Sequence, residues 1–472
     1  MSTTGSRQQA MAAAFAYYDD EAGGYFKDLA AAVAVPTESQ HAAGLPHMRR
    51  YLDGLMAPTL TPLGYECRVY DNPVEGAGPV LLASRVEDPS LPTMLCYGHG
   101  DVVMGMEGRW QNGRDPWRLS FEGEKVYGRG TADNKGQHLL HIAALRTVLE
   151  TRGKLGFNHK LCIEMGEENG SRGFREVIQA HRADFAADAF FSSDGPRTVR
   201  ERPNITLGNR GGCQFDLIVD LRDGGHHSGN WGGLLANPGI ILAHAIASIT
   251  DAKGRILIDA WRPPLPDWVR ELVKDAKRDS GANAPEIDED WGEPGLAPME
   301  KVVGWNSFEV LAFTTGTPER PVNAIPPKAQ ARCALRFVVG TKAEDILPSL
   351  RRHLDARGFQ NVEIRTPPGA NPIRFGASRT DPNHPFVKWV RGALDRAAGA
   401  PCDVLPNSGG SNVTEIIGTE LGIPYIWLPL SYTGCSQHAP DEHILKPLMR
   451  EGLGHLTSIY WDLGDEQDGY RK

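Results

Sequence analysis

Short apolar runs of strand length recur along the first 210 residues of the chain, at 80–84, 93–97, 160–165 and 187–191. Most of them lead into Gly, Asp or Glu, and residues 136–149 between them carry apolar side chains at helical spacing. Strand, loop, helix and strand in this order predict an α/β domain with a mixed, largely parallel sheet and helices on both faces.

The middle of the chain has a different order of elements. The apolar patterns predict strand, helix, strand, strand, helix and strand at 213–221, 238–249, 308–313, 329–339, 343–354 and 362–365. This order is that of a ferredoxin-like α+β sandwich. Residues 252–303 interrupt it with a predicted helix at 267–277 and an acidic stretch at 286–290.

The α/β pattern returns after this region. A helix is predicted at 386–397, an apolar run follows at 423–430, and a further helix is predicted at the C-terminal end. We therefore predict an α/β domain that is split into residues 1–210 and 377–472, with a ferredoxin-like domain inserted at 211–376.

Composition and charge narrow the possible functions. The chain has 472 residues, with 50 Lys and Arg against 59 Asp and Glu, and a formal net charge of −9. Without a basic block we expect no nucleic-acid partner. No apolar run reaches 18 residues and the N-terminus lacks the order of a signal peptide, so we expect no membrane association. The seven cysteines are scattered without a Cys-x-x-Cys pair, which is typical of free thiols in a cytoplasmic protein.

Residues that bind divalent metals follow several of the predicted strands. They are His99 and Asp101 after 93–97, Asp133 after 126–130, Glu167 and Glu168 after 160–165, Asp194 after 190–193, and His438 after 423–430. Each alone is more often a turn residue, a core histidine or a surface acid. Because the carboxyl ends of parallel strands meet at one edge of a sheet, the set together predicts a catalytic divalent metal site.

The segments around these residues resemble those of a metallopeptidase family. This family includes aminoacylase, carnosinase-type dipeptidases, carboxypeptidase G, acetylornithine deacetylase and succinyl-diaminopimelate desuccinylase. The matching segments are 97–103, 127–136, 164–171, 193–195 and the loop around His438. The resemblance extends over nearly the whole chain, and the length of the inserted domain is similar to that of the longer dipeptidase lids. It therefore favours the carnosinase-like branch.

The resemblance implies a centre of two divalent ions, most often Zn²⁺, with Mn²⁺ or Co²⁺ as alternatives. Asp133 would bridge the two ions. The other implied ligands form two pairs, His99 with Asp194 and Glu168 with His438. On chemistry alone His443 competes with His438 as a ligand, and the family pattern favours His438.

The same resemblance implies roles for two further acids. Asp101 would hydrogen-bond the imidazole of His99 and fix its tautomer. Glu167 would be the general base, which takes a proton from a water activated by the two ions and passes it to the departing amine. A closing lid would desolvate Glu167 and raise its pKa. In the family the peptide after the bridging Asp is often cis, here Asp133–Asn134.

The inserted domain carries further matches to the family. The His before Ser-Gly, here His227, reaches the active site of a partner subunit and holds the oxyanion in family members, which implies a homodimer with His227 acting in trans. His226 is the second candidate for this role. Asn323 and Arg336 match residues that contact substrate, and the guanidinium of Arg336 suits a free carboxylate.

A glycine-rich loop departs from the dipeptidase pattern. Ser408, Gly409 and Gly410 offer backbone N–H groups near a helix start, which favour an anionic group. Carnosinase-like dipeptidases carry Arg-Glu where this chain has Asn407-Ser408. This departure leaves the substrate open between a dipeptide and an N-acyl amino acid.

We therefore predict a two-metal hydrolase that cleaves the amide bond of a small substrate with a free carboxylate, a dipeptide or an N-acyl amino acid. An alternative is a deacetylase, desuccinylase or carbamoyl-type amidohydrolase on the same scaffold. A distant alternative is a non-catalytic metal-binding scaffold, against which the presence of Glu167 argues.

Overall fold

The computed structural model describes residues 5–277, 286–366 and 372–466. The strands of its two larger sheets are, in chain order, Glu66–Tyr70 (β1), Val80–Arg85 (β2), Thr93–His99 (β3), Asn158–Glu164 (β4), Ala189–Ser192 (β5), Asn204–Thr206 (β6), Gly211–Asp220 (β7), Ser307–Thr315 (β8), Lys328–Phe337 (β9), Glu363–Arg365 (β10), Ile373–Phe375 (β11), Asp403–Leu405 (β12) and Tyr425–Trp427 (β13). The apolar run predicted at 423–430 therefore contains a strand of only three residues.

The α-helices surround both sheets. They are Arg7–Asp19 (α1), Tyr25–Val33 (α2), Leu45–Tyr51 (α3), Ala57–Leu60 (α4), Lys135–Arg152 (α5), Phe174–Ala180 (α6), Arg182–Phe185 (α7), Ser228–Trp231 (α8), Pro238–Ile249 (α9), Asp267–Val273 (α10), Pro298–Val303 (α11), Ile346–Ala356 (α12), Pro385–Ala398 (α13), Thr414–Leu421 (α14) and Lys446–Asp465 (α15). The helix predicted at 267–277 ends earlier than expected, at Val273.

The larger sheet has eight strands in the order β1-β2-β4-β3-β5-β13-β6-β12. Its centre, β4, β3, β5 and β13, is parallel, whereas β1 and β2 pair antiparallel at one edge, so the predicted mixed sheet is confirmed. Both faces are buried, since Leu81 and Ala83 of β2 join one apolar core and Val80 and Leu82 join the other. The first core includes residues of α1, α5, α13 and α15, and the second includes residues of α6 and α14.

The smaller sheet has the order β8-β9-β7-β10, and β11 also pairs with β7. Its core is separate from that of the larger sheet and contains Phe215 and Leu217 of β7, Leu350 of α12 and Trp261. The elements β7, α9, β8, β9, α12 and β10 follow each other in the predicted order. Helix α9 begins where the sequence predicts it because the Asn237 side chain accepts hydrogen bonds from the first free N–H groups.

The remaining strands are short and form small separate sheets. A three-stranded sheet and three two-stranded ladders are formed by Ser120–Glu122, Lys125–Tyr127 and His443–Leu445; by Gly208–Asn209 with Ser378–Arg379; by His226–His227 with Ala324–Ile325; and by Pro196–Arg197 with Ser431–Tyr432. In the described part of the chain, none of the helices combines the length and the apolar character that a bilayer crossing requires.

One buried imidazole makes the fold sensitive to acid. His159 on β4 has no exposed surface, and its Nδ1 lies 2.9 Å from the Tyr65 hydroxyl. Burial, with a smaller contribution from His141, lowers the pKa of His159 to about 3. The unfolded chain, whose histidines titrate near pH 6.5, therefore takes up this proton first as the pH falls.

We expect the free energy of unfolding to decrease between about pH 6.5 and pH 3, by up to about 1.4 kcal/mol per pH unit for this imidazole. The His159→Asn variant keeps an acceptor for Tyr65 but does not titrate. Its free energy of unfolding should therefore depend on pH less steeply than that of the wild-type protein, by that amount. Urea unfolding of both proteins between pH 7.5 and 4.5 measures the difference. If the unfolding free energies of the two proteins changed with pH in parallel, this expectation would be contradicted.

Candidate dinuclear metal centre

Three adjacent parallel strands deliver most of the predicted metal-binding residues. His99 is the last residue of β3, and Asp194 lies two residues after β5. Glu167 and Glu168 lie in a short 3₁₀ turn that follows β4. These strands are neighbours in the sheet, so their carboxyl ends place the side chains at one edge, as expected from the sequence.

Asp133 and His438 reach this edge by a different route. Asp133 lies between the strand Lys125–Tyr127, which belongs to the small three-stranded sheet, and helix α5. The prediction that Asp133 follows a strand of the main sheet is therefore wrong. His438 lies in the loop before His443–Leu445, with a left-handed backbone at φ 61°. Both residues depend on loops for their position.

Asp133 is the centre of the cluster. Its Oδ1 lies 2.9 Å from His99 Nε2, and its Oδ2 lies 2.9 Å from His438 Nε2. His438 Nε2 is also 3.0 Å from Glu168 Oε2. Two groups of potential ligand atoms each lie within 4.8 Å of one another, His99 with Asp133 and Asp194, and Asp133 with Glu168 and His438. Asp133 belongs to both groups.

The donor atoms fit a pair of divalent cations. His99 Nε2 is buried without a hydrogen-bond partner of suitable geometry, although it points at the Asp133 carboxylate. Imidazole and carboxylate ligands without thiolate are typical of catalytic zinc and related divalent ions. The side chains of His99, Asp133 and Glu168 are at most 5% exposed, whereas that of His438 is 55% exposed. The site is therefore open to solvent on the His438 side.

The acids of the cluster are held close together and out of water. Burial and the neighbouring Asp133 charge raise the pKa of Glu168 to about 7 and that of Asp194 to about 6. Burial and nearby carboxylates also raise the pKa of Glu167 well above its usual range. Burial opposes ionisation of Asp133, but its hydrogen bond with His438 and its close contact with the His99 imidazole outweigh burial and lower the pKa of Asp133. Added positive charge would allow all of these acids to ionise.

Asp101 makes different contacts from those expected. His99 Nδ1 lies 3.1 Å from the backbone carbonyl oxygen of Asp101, and the nearest carboxylate oxygen is 3.5 Å away. The carboxylate instead accepts hydrogen bonds from the backbone N–H groups of Glu167 at 3.2 Å and Glu168 at 3.1 Å. Asp101 therefore orients His99 through its main chain and holds the Glu167–Glu168 turn through its side chain.

Three residues near the centre were not predicted to take part. Asn134 donates to the Asp194 carboxylate at 3.1 Å, and Gln437 donates to Asp133. Glu442 accepts hydrogen bonds from the backbone of the loop that carries Asp133. Only their position beside predicted ligands in the sequence could have singled them out. The Asp133–Asn134 peptide is cis, as the family resemblance implies.

A cavity of about 650 Å³ opens beside the cluster. Among the described residues that line it are Glu167, Arg336, Ser408, Gly409 and Gly410. The structure thus brings these predicted substrate-binding residues to the same cavity as the metal-binding cluster.

Three arginines donate hydrogen bonds to the loop 407–412. Arg336 donates to Ser411 Oγ at 2.8 Å, and Ser411 in turn donates to the carbonyl of Arg210 at 2.6 Å. Arg210 donates from Nε to the carbonyl of Gly409 at 2.8 Å. Asn407 accepts a 2.6 Å hydrogen bond from Arg379. Arg210 and Arg379 were not predicted to take part, because their partners lie 199 and 28 residues away along the chain, beyond the reach of any local pattern.

His227 and Asn323 lie away from this cavity. They are neighbours on the ladder formed by His226–His227 and Ala324–Ile325, where Ser228 N donates to the Asn323 carbonyl at 2.9 Å. The His227 side chain is exposed, and His226, His227 and Asn323 are not among the described residues that line the cavity. A single chain therefore does not bring His227 to the metal-binding cluster.

Comparisons with known proteins agree with this arrangement. The model of peptidase family M20/M25/M40 matches residues 95–461. A cysteinylglycine-S-conjugate dipeptidase of Corynebacterium striatum is 32% identical over 330 residues, covering 68% of this chain and 69% of the relative. A beta-Ala-His dipeptidase of Mus musculus is 33% identical over 415 residues, covering 83% and 81%.

A solved structure has the same fold. The M20 family metallo-carboxypeptidase of Sulfolobus solfataricus superimposes with a TM-score of 0.78 at 24% sequence identity, over 93% of this chain and 98% of the other. The family model covers most of the chain, including every residue of the cluster. The chain belongs to peptidase family M20/M25/M40 and is a metal-dependent peptidase.

Proposed function

We propose that this protein is a dipeptidase with two divalent metal ions, which hydrolyses the amide bond of a small substrate with a free carboxylate. The observation that carries the proposal is the position of Asp133, which belongs to two ligand groups at once beside a cavity that Glu167 also lines. The names of the two dipeptidases reported above support the substrate class.

In this proposal Asp133 would contribute to both ligand sets, with the remaining ligands in two pairs. His99 and Asp194 would complete one set and Glu168 and His438 the other. Zn²⁺ is the first choice, with Mn²⁺ and Co²⁺ as alternatives. When bound, the ions lower the pKa of water and polarise the carbonyl of the scissile amide.

Glu167 is the general base in this proposal. Its neighbours Glu168 and Asp194 are ligand candidates, and Glu167 belongs to neither ligand group. The Asp101 carboxylate accepts a hydrogen bond from the backbone N–H of Glu167 at 3.2 Å. This contact holds the turn from which the Glu167 side chain extends. Glu167 accepts a proton from the attacking water and donates it to the departing amine. Burial and the nearby carboxylates keep the pKa of Glu167 raised, which makes it a stronger base.

Arg336 is the proposed anchor for the substrate carboxylate. Its guanidinium lines the cavity and is oriented by Ser411, which Arg210 holds in turn through its main-chain carbonyl. The backbone of Ser408, Gly409 and Gly410 borders the same space. Asn407 stands where carnosinase-like dipeptidases have Arg, and the arginines among the described residues that line the cavity are Arg197, Arg210 and Arg336.

We also propose a homodimer in which His227 and Asn323 complete the partner's site. The smaller sheet offers an apolar surface for such a dimer on its edge strand β8, where Val310, Leu311 and Phe313 are 42%, 56% and 43% exposed. An exposed apolar edge strand favours pairing with a second chain, and twofold symmetry is the commonest form of such pairing.

The domain plan is part of the same proposal. Residues 1–210 and 377–472 would form the catalytic domain and 211–376 the lid and dimerisation domain, because the two sheets have separate apolar cores and α13 and α15 share the core of α1 and α5. All seven cysteines are free thiols, and six are buried. This state is typical of a reducing compartment, so we propose the cytoplasm.

A second candidate function is the hydrolysis of N-acyl or N-carbamoyl amino acids, including deacetylase or desuccinylase activity. Asn407 in place of Arg favours it, since the loop then offers no cation of its own to a dipeptide carboxylate. Both candidates use the same metal centre and the same base.

A substrate panel with two matched variants tests the proposal. We expect the wild-type protein to hydrolyse dipeptides faster than N-acetyl and N-carbamoyl amino acids. Glu167→Gln should lower kcat by about 10²–10⁴-fold without weakening Zn²⁺ binding, because Glu167 is a base and not a ligand. Its neighbour Glu168→Gln should weaken Zn²⁺ binding. Unchanged kcat in Glu167→Gln would exclude the mechanism, and preference for the acyl substrates would favour the second candidate.

Metal binding should release protons. In the metal-free protein Glu168 has a pKa of about 7 and Asp194 of about 6, and hydrogen bonds with Asp133 and Glu168 raise the pKa of His438 to about 11. Metal ligands must lose these protons, so the affinity for Zn²⁺ should increase with pH, by about tenfold per pH unit for each proton released.

Calorimetric titration of the chelator-treated protein with Zn²⁺ between pH 6 and pH 8 measures this dependence. Buffers with different ionisation enthalpies count the protons released. A Zn²⁺ affinity that does not change over this range would contradict the proposed ligands.

Complementation between inactive variants tests the role of His227. If His227 acts in the partner's site, a mixture of His227→Ala and Glu167→Gln subunits should recover about a quarter of the wild-type activity, because half of the dimers then contain one complete site of two. A mixture of Glu168→Gln and Glu167→Gln is the control and should stay inactive. No recovery in the first mixture, with subunit exchange verified, would show that His227 does not act in trans.

A further inference from the structure

The loop that carries Asp133 is bound by a buried carboxylate from the far end of the chain. Glu442 is 1% exposed. Its Oε1 accepts hydrogen bonds from the backbone N–H groups of Ala132 at 2.9 Å and Asp133 at 3.0 Å. Its Oε2 accepts from the N–H of Gly130 at 3.0 Å and from Arg129 Nη1 at 2.8 Å. One side chain thus satisfies four donors of a five-residue segment.

From this geometry we propose that Glu442 is a positioning residue, which fixes Asp133 between the two ligand groups by binding the backbone of its loop. The inference rests on the proposed metal centre. Successive backbone N–H groups that converge on one anion hold it strongly, and here the anion belongs to the protein itself. Without Glu442 these buried donors would lack an acceptor, so the loop would have to rearrange.

The same short segment also carries His438. Between Ser436 and Glu442 the chain has a strained backbone, since Ser436, His438 and Asp441 have φ values of 57°, 61° and 62°. Asp441 stabilises this conformation by accepting hydrogen bonds from Arg114 at 2.8 Å and from the N–H of Gln111 at 3.1 Å. Residues 438–442 therefore contact Asp133 twice, at its carboxylate through His438 and at its backbone through Glu442.

This double contact matters because no strand of the main sheet positions Asp133. His99, Glu168 and Asp194 follow adjacent parallel strands, whose ladder sets their spacing. Asp133, in contrast, is positioned only by its loop and by the start of α5. Glu442 supplies the missing constraint and sets the distance between Asp133 and His438.

Arg129 compensates the buried charge of Glu442. Its side chain is fully buried, and Nε donates to the carbonyl of Met104 at 3.1 Å. Replacement of Glu442 by a neutral residue would leave the Arg129 cation without its buried partner, so such a variant is expected to be less stable. Stability and metal affinity therefore have to be measured separately.

The test compares Glu442→Gln with Asp462→Asn. Asp462 is also buried and also binds arginines, Arg7 at 3.0 Å and Arg396 at 2.9 Å, but it lies on α15 away from the metal-binding cluster. Calorimetric titration of each chelator-treated protein with Zn²⁺ gives the affinity, and thermal unfolding gives the stability. Both variants should have a lower Tm. Only Glu442→Gln should bind Zn²⁺ more weakly, by about 10–100-fold.

If Glu442→Gln does not fold, Glu442→Asp replaces it in the same titration. This variant keeps the charge but shortens the side chain, and we expect it to bind Zn²⁺ more weakly than the wild-type protein. Zn²⁺ affinity within twofold of the wild-type value would overturn the inference and leave the metal centre intact. Wild-type protein that binds none of Zn²⁺, Mn²⁺ and Co²⁺ would instead overturn the proposed function, and the inference with it.

Discussion

The carboxylate of Asp133 lies between two imidazoles and beside three other acids, with very little water around it. Its two oxygens are each 2.9 Å from a histidine nitrogen, and the pKa values of Glu167, Glu168 and Asp194 are raised by burial and mutual repulsion. Charges removed from water cost several kcal/mol each unless they are paired. Two divalent ions would pair these acids, which is why the cluster suits metal binding and no purely structural role.

Two kinds of support hold this cluster. The central parallel strands bring His99, Glu168 and Asp194 to the sheet edge, and the strands are rigid because both faces are packed. Asp133 and His438 come from loops, where main-chain groups need partners that the sheet does not provide. Glu442 supplies such partners to the loop of Asp133 by accepting hydrogen bonds from its N–H groups. Asp101 does the same for the Glu167–Glu168 turn after β4. These two acids therefore act through the backbone of residues in or beside the cluster.

The cavity is lined both by residues of the metal-binding cluster and by residues that we propose to bind a substrate. Arg336 and the loop that Ser411 connects to Arg210 form part of its lining. His227 and Asn323 lie at an exposed two-stranded ladder outside this lining. A single chain brings all the residues of the metal-binding cluster together. The groups that would enclose a substrate are divided between the cavity lining and the exposed ladder of His227 and Asn323.

The residue types of the centre were predictable because they depend on local sequence. Buried strands read as continuous apolar runs, and the polar residues that follow them must lie at the sheet edge, so His99, Glu168 and Asp194 could be placed from the pattern alone. The same pattern included Asp133 and His438, and the family resemblance implied the role of each residue. The tertiary structure alone decided which strand precedes Asp133, what the Asp101 carboxylate binds, and that Glu442 and Arg210 take part. The side-chain partners of Asp101, Arg210 and Glu442 lie between 66 and 313 residues away along the chain, and no local periodicity encodes a hydrogen bond across such a distance.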